Sequence, residues 1–156
     1  MNATAWRIAV EAPQYAADDM SGTGARLSGG RWNSCGVAMV YASSNIALAA
    51  LETLTGKQAV GLPFNRYLVQ LSIPEAVWER RRILNHRPGG WDALPCGLAS
   101  KREGDSWVRA GETAVMIVPS VIIPDELNVL VNPRHPDAAA IAATTVKRFA
   151  YDPRFF

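Results

Sequence analysis

The sequence predicts a small single domain of the α+β class, with mixed and antiparallel sheet. Three observations lead there. The chain has 156 residues, one domain's worth, and is 49% hydrophobic and 19% charged, enough apolar content for a core. Segments that read as strands outnumber those that read as helices. Gly and Pro punctuate the chain at irregular intervals, so the connections are not the regular crossovers of a doubly wound sheet.

The elements follow in order. Trp6 to Val10 reads as a short strand, and residues 18 to 36, rich in Gly and without periodicity, read as a long loop. Val37 to Tyr41 (VAMVY) is an apolar strand. Ser43 and Ser44 offer N-caps for a helix over Asn45 to Thr55, closed by Gly56. Arg66 to Ile73 puts Tyr67, Val69, Leu71 and Ile73 on one face of a half-buried strand that Pro74 ends. Pro74 to Arg82 reads as a short turn or helix, its three arginines a solvated face, and residues 85 to 97 as a second irregular segment. Ala99 to Arg109 is a helix, and Thr113 to Val118 (TAVMIV) a buried strand stopped by Pro119. Val121 to Ile123 and Asn128 to Val131 read as short strands, Ala138 to Ala142 as a helical turn and Thr144 to Tyr151 as a last strand.

Charge and cysteine count narrow the function. Sixteen basic against 14 acidic residues give +2, which marks neither a nucleic-acid binder nor a membrane-recruited protein. Of the basic residues 13 are Arg and 3 Lys, a bias toward two-pronged recognition of phosphate or carboxylate. Cys35 and Cys96 make neither a disulfide scaffold nor, with His86 and His135, a zinc site. The N-terminal stretch does not read as a signal peptide, and no apolar run reaches the roughly 18 residues of a membrane span. The expected location is the cytoplasm, with no metal.

Candidate chemistry lies in a few places. In Gly29-Gly30-Arg31-Trp32-Asn33, paired glycines let backbone N–H groups approach an anion, and Arg31 adds a charged fork; a glycine turn with a surface Arg is the plainer reading. Gly22-x-Gly24 lacks the third glycine of a dinucleotide fingerprint. Glu52, inside IALAALETL, shares a helical face with Leu48, Ala49 and Thr55, so its carboxylate is either paired structurally or turned into a pocket. Tyr41 ends a strand, where sheets hand side chains to ligands, and equally suits a core rim. Ser120 follows an apolar strand without a nucleophile elbow, so hydrogen bonding suits it better than attack. His135, in NPRHPD, is expected to order its turn.

In order, GGRWN, VAMVYAS, IALAALE, VPS and NVLVNPRHPDA resemble the RES-domain family from Trp6-Arg7 to the C-terminal YDPRFF. The family's Arg, Glu and Ser look like Arg31, Glu52 and Ser120. The resemblance implies the toxin of a type II toxin–antitoxin module, with an Xre-like helix-turn-helix antitoxin as partner. It implies a fold similar to ADP-ribosyltransferase toxins, with an NAD⁺ cleft. Members transfer ADP-ribose from NAD⁺ to a protein, or degrade NAD⁺ with water or phosphate as acceptor. On this resemblance Glu52 stabilises the cationic ribose, Arg31 grips the pyrophosphate with Gly29 and Gly30, Tyr41 stacks on nicotinamide or positions its ribose, Ser120 orients the ribose or Glu52, and Arg7 is a further phosphate contact. Neither a metal nor a covalent enzyme intermediate is required. Two other classes remain: an RNase toxin using Arg31, His135 and Glu52, disfavoured by the near-neutral charge, and a non-catalytic binding module.

Overall fold

The computed structural model describes residues 1–55 and 64–155. Along the chain run β1 (Ala3–Val10), α1 (Thr23–Ser28), β2 (Val40–Ser43), α2 (Ile46–Leu54), β3 (Arg66–Ile73), α3 (Glu75–Glu79), β4 (Arg82–Ile83), α4 (Leu98–Ala110), β5 (Val115–Pro119), β6 (Leu127–Val131) and β7 (Ala142–Arg148). The strands form one seven-stranded sheet in the order β4-β5-β6-β2-β1-β3-β7. All neighbours are antiparallel except β4 and β5, which makes the sheet mixed. The α+β class is the one the sequence predicts.

Pairing along the sheet is uneven. β1 and β3 pair over eight consecutive residues, from Ala3↔Ile73 to Val10↔Arg66. β1 and β2 share a single pair, Trp6↔Ser43. This seam divides the sheet into β4-β5-β6-β2 and β1-β3-β7. Alternation gives each half two faces. Ala5, Ala9, Val69 and Leu71 from one half, and Val40, Ala42, Val115, Ile117, Val129 and Val131 from the other, form one buried cluster. On the opposite face Met116, Val118 and Leu130 pack with Trp32, Trp91 and Trp107, while Ile8 and Leu68 pack with Ala49 of α2 and Tyr151.

Local chemistry sets the boundaries. The cap of α2 is Asn45, whose Oδ1 accepts the Leu48 N–H at 2.8 Å, and not Ser43 or Ser44. Ser43 is the last residue of β2, its hydroxyl turned elsewhere. Gly56, expected to close this helix, lies outside the described residues. α4 ends at Gly111, which takes the left-handed conformation (φ 63°) and returns its N–H to Trp107 O.

Three expectations are corrected. The loop over residues 18–36 contains a helix, α1, with a bridge between Gly30 and Asn33 behind it. Val121–Ile123 is a turn, because the Ser120 hydroxyl takes the N–H groups of Ile122 and Ile123 from any ladder. The last strand starts two residues early and ends at Arg148. The arginine run is solvated as expected, with Arg80 and Arg82 exposed in surface pairs with Asp137 and Glu103 and Arg81 lying over Trp78.

Candidate active site

Glu52 sits in the last turn of α2. Leu48 and Ala49, four and three residues earlier, are buried against the sheet, so the spacing turns Glu52 toward the same face. The carboxylate is half-buried and held on one side only. Oε1 accepts Ser120 Oγ–H at 2.7 Å and Asn128 Nδ2–H at 2.6 Å. Among the described residues nothing donates to Oε2. Ser120 is fully buried; its oxygen in turn accepts the N–H of Ile122 at 3.1 Å and of Ile123 at 3.3 Å. The Asn128 Oδ1 accepts Ser43 Oγ–H at 2.7 Å, directly across the β2–β6 ladder. The arrangement is a carboxylate with one oxygen fixed and one free.

Tyr41 lies two residues before Ser43 on β2, on the same face and roughly 7 Å along the strand. It is therefore a near neighbour of the carboxylate network. Its hydroxyl is fully engaged: it donates to Asn33 Oδ1 at 2.6 Å and accepts the Trp32 N–H at 3.0 Å. Asn33 is completely buried and returns its amide to the Ala25 and Val37 carbonyls. Burial raises the Tyr41 pKa; the Trp32 N–H and Arg31 oppose this, while Cys96 and Asp105 add to it. The phenol stays neutral and acts as a fixed strut, its partly buried ring packed against the cluster of Trp32, Met116, Val118 and Leu130.

The two glycines serve this strut. Gly29 has φ 70°, and its N–H donates to Ala25 O to close α1. Gly30 donates to Asn33 O, and a Cβ on it would lie 2.7 Å from the Tyr41 hydroxyl. Both N–H groups are thus spent inside the protein, and the expected anion cradle of Gly29 and Gly30 is corrected to a turn that seats Tyr41. Arg31 is committed in part. Its Nη1 donates to Trp91 O at 3.0 Å and Ala93 O at 2.9 Å, tying the 85–97 segment to this loop. Trp32 stacks on Trp91 alongside, with ring centroids 6.3 Å apart.

Helix α4 clamps the same loop. Lys101 Nζ donates to Gly30 O at 2.5 Å and Asn33 O at 3.4 Å, and Asp105 accepts Ser34 N–H at 2.9 Å and Ser34 Oγ–H at 2.6 Å. Gly104, between them on that face, lets the helix meet the Trp32 carbonyl. The sequence reading missed Ser43, Asn128, Lys101, Gly104 and Asp105 as parts of this site. A glycine in the middle of a helix, costing about 1 kcal/mol against alanine, with Lys and Asp at −3 and +1, was the available signal for the last three.

Arg7 is not brought together with Glu52. It alternates with Trp6 and Ile8 on β1, pairs with Val69, and shares the face of Ala5 and Ala9. Its enclosed Nε has no hydrogen-bond partner among the described residues, and burial lowers its pKa against the pull of Asp19. Ser120 is fully buried and its hydroxyl donates to Glu52 Oε1. His135 orders its turn by accepting the Asp137 N–H at 3.0 Å.

Comparison with known proteins now bears on this geometry. The family model described as RES domain matches residues 4–152, nearly the whole chain. The chain belongs to the RES-domain family. This RES domain is 49% identical over 156 residues to the Prs ADP-ribosylating toxin of Sphingobium sp. (strain YBL2), covering 99% of this chain and 97% of that protein. It is 32% identical over 144 residues to the Toxin Res of Yersinia enterocolitica, covering 90% of this chain and 93% of that one. Among solved structures, the crystal structure of the M. tuberculosis MbcT–MbcA toxin–antitoxin complex contains a similar chain, with TM-score 0.61 and 15% identity over 99% of this chain and 87% of that chain. That likeness speaks for the fold of the RES domain alone.

Proposed function

We propose that this RES domain is the toxin of a toxin–antitoxin pair, acting in the cytoplasm, and that it cleaves the nicotinamide–ribose bond of NAD⁺ and transfers ADP-ribose to a cellular protein. The observation that carries the reading is Glu52, with Oε1 held by Ser120 and Asn128 and Oε2 without a donor among the described residues. The ADP-ribosylating activity named for the Sphingobium relative supports it at high identity.

The donor set fits such a substrate. As neutral nicotinamide departs, positive charge builds on the ribose ring. A fixed carboxylate stabilises that charge, and its free oxygen can also accept a ribose hydroxyl. A group of this kind in a sheltered site contributes about 3 kcal/mol. The Tyr41 ring stacks on the nicotinamide, its orientation set by the Asn33 and Trp32 bonds. The Arg31 nitrogens not bound to Trp91 and Ala93 meet the pyrophosphate. Gly29, Gly30 and Ser120 position these groups rather than touch the substrate. Arg7, on the opposite face of the sheet, is proposed as a further phosphate contact on the family resemblance alone.

The partner proposed is an Xre-like helix-turn-helix antitoxin, on the family resemblance; the toxin–antitoxin complex containing the structural neighbour is in keeping with it. Purified protein incubated with labelled NAD⁺ and cell lysate tests the activity. Nicotinamide release with a labelled protein band supports transfer. Free ADP-ribose or its phosphorylated product without a band assigns water or phosphate as acceptor. Intact NAD⁺ overturns the reading.

A further inference from the structure

We propose that Asn128 is a positioning residue for Glu52 and that Ser43 serves the reaction only by orienting Asn128. The inference rests on the reading of Glu52 above and adds two residues to it.

Asn128 stands on β6 with its side chain between two partners. Nδ2 donates to Glu52 Oε1 at 2.6 Å and Oδ1 accepts Ser43 Oγ–H at 2.7 Å. A carboxamide has a donor end and an acceptor end of nearly the same shape. Reversed, it would aim its oxygen at a carboxylate and repel it. The Ser43 hydroxyl, 3% exposed and with Asn128 as its one hydrogen-bond partner among the described residues, favours the productive orientation. The backbone needs neither side chain, because Asn128 already pairs with Ser43 and Val118 through the ladders on either side. What these side chains add is a second donor on the oxygen that Ser120 also holds. Two donors converging, one from β6 and one from just beyond the end of β5, fix the plane of the carboxylate; Ser120 alone leaves it free to turn about that bond. Ser43 reaches Glu52 only through the amide.

A double-mutant cycle tests the assignment. Nicotinamide release is measured for wild type, Ser43→Ala, Asn128→Ala and the double variant, with kcat and KM separated and folding checked by thermal melting. Asn128→Ala is expected to lose about 30-fold in kcat with KM within about 3-fold, and Ser43→Ala about 5-fold. The double variant is expected to match Asn128→Ala, because Ser43 has nothing left to orient. Asn128→Asp, which keeps the shape and loses the donor, replaces Asn128→Ala if the latter does not fold, and should lose at least as much. Independent, multiplying losses overturn the proposal, as does unchanged kcat in folded Asn128→Ala or Asn128→Asp. The same cycle is read as growth arrest on induced expression. If wild type arrests growth without releasing nicotinamide, the NAD⁺ reading fails while the Ser43–Asn128 coupling is still decided in cells. If wild type releases nicotinamide and the coupling is absent, only the present assignment fails.

Discussion

Gly104 lies directly against the backbone of Trp32: a Cβ added to it would sit 1.7 Å from the Trp32 carbonyl oxygen. This contact lets α4 approach closely enough for Lys101 and Asp105 to hold the loop that carries Arg31 and seats Tyr41. Neither the helix backbone nor the loop carbonyl can give by that distance without breaking other bonds. Gly104→Ala is therefore expected to lose about 3 kcal/mol or more of stability, or to fail to fold, as followed by denaturant unfolding. A variant within about 1 kcal/mol of wild type would show that the helix does not seat the loop in this way.

Glu52→Gln keeps the size of the side chain and an oxygen to accept from Ser120 and Asn128. Its melting temperature should stay close to wild type, while nicotinamide release should fall about 100-fold or more, since only the charge is removed. Substantial retained turnover would contradict the electrostatic role.

Tyr41→Phe separates the ring from its hydroxyl. The buried Asn33 Oδ1 and the Trp32 N–H both lose a partner, a cost of about 1–3 kcal/mol. The ring remains for stacking, so a thermally weakened but still active enzyme is expected. Loss of turnover at full stability would instead give the hydroxyl a chemical task.

Tyr41 also predicts an alkaline sensitivity. Its folded pKa is raised from 10.0 by burial, so the folded state keeps its proton where the unfolded chain gives it up. The unfolded state then binds fewer protons than the folded one, and stability falls as pH rises above about 10. Below that pH the contribution is fully present. Melting temperatures from pH 8 to 11 should decline less steeply in Tyr41→Phe than in wild type.

Gly30→Ala would push a methyl group to 2.7 Å from the Tyr41 hydroxyl and 2.9 Å from Asn33 Oδ1. The expected cost is about 1–3 kcal/mol, together with reduced nicotinamide release as Tyr41 is displaced. An unaffected variant would mean that the loop shifts without consequence.

The elements legible in the sequence are those whose signal is periodic and local. β3 was read with its observed limits, because alternation and Pro74 define them without help from the rest of the chain. α4 was read to within a residue at each end. The elements missed are those decided by one side chain's distant bond. Ser43 resembles a cap until its hydroxyl is seen on Asn128, and Val121–Ile123 resembles a strand until Ser120 takes its amides. The site divides in the same way. Glu52 stood out as a lone acid on an apolar helix, a local anomaly. Asn128 did not, since its role depends on a contact 76 residues away. The glycine pair was noticed for the right reason, close approach, but what approaches is Tyr41 and not an anion.

The seam between β1 and β2 has a further consequence. α2 is anchored through Ala49 on Ile8 and Leu68, which belong to one side of that seam, whereas Ser120 and Asn128 reach Glu52 from the other. The Glu52 carboxylate is thus a rivet driven through both panels of the molecule. On the proposed reading, a nascent or half-assembled chain cannot be armed, because the weapon is completed by the same closure that completes the protein.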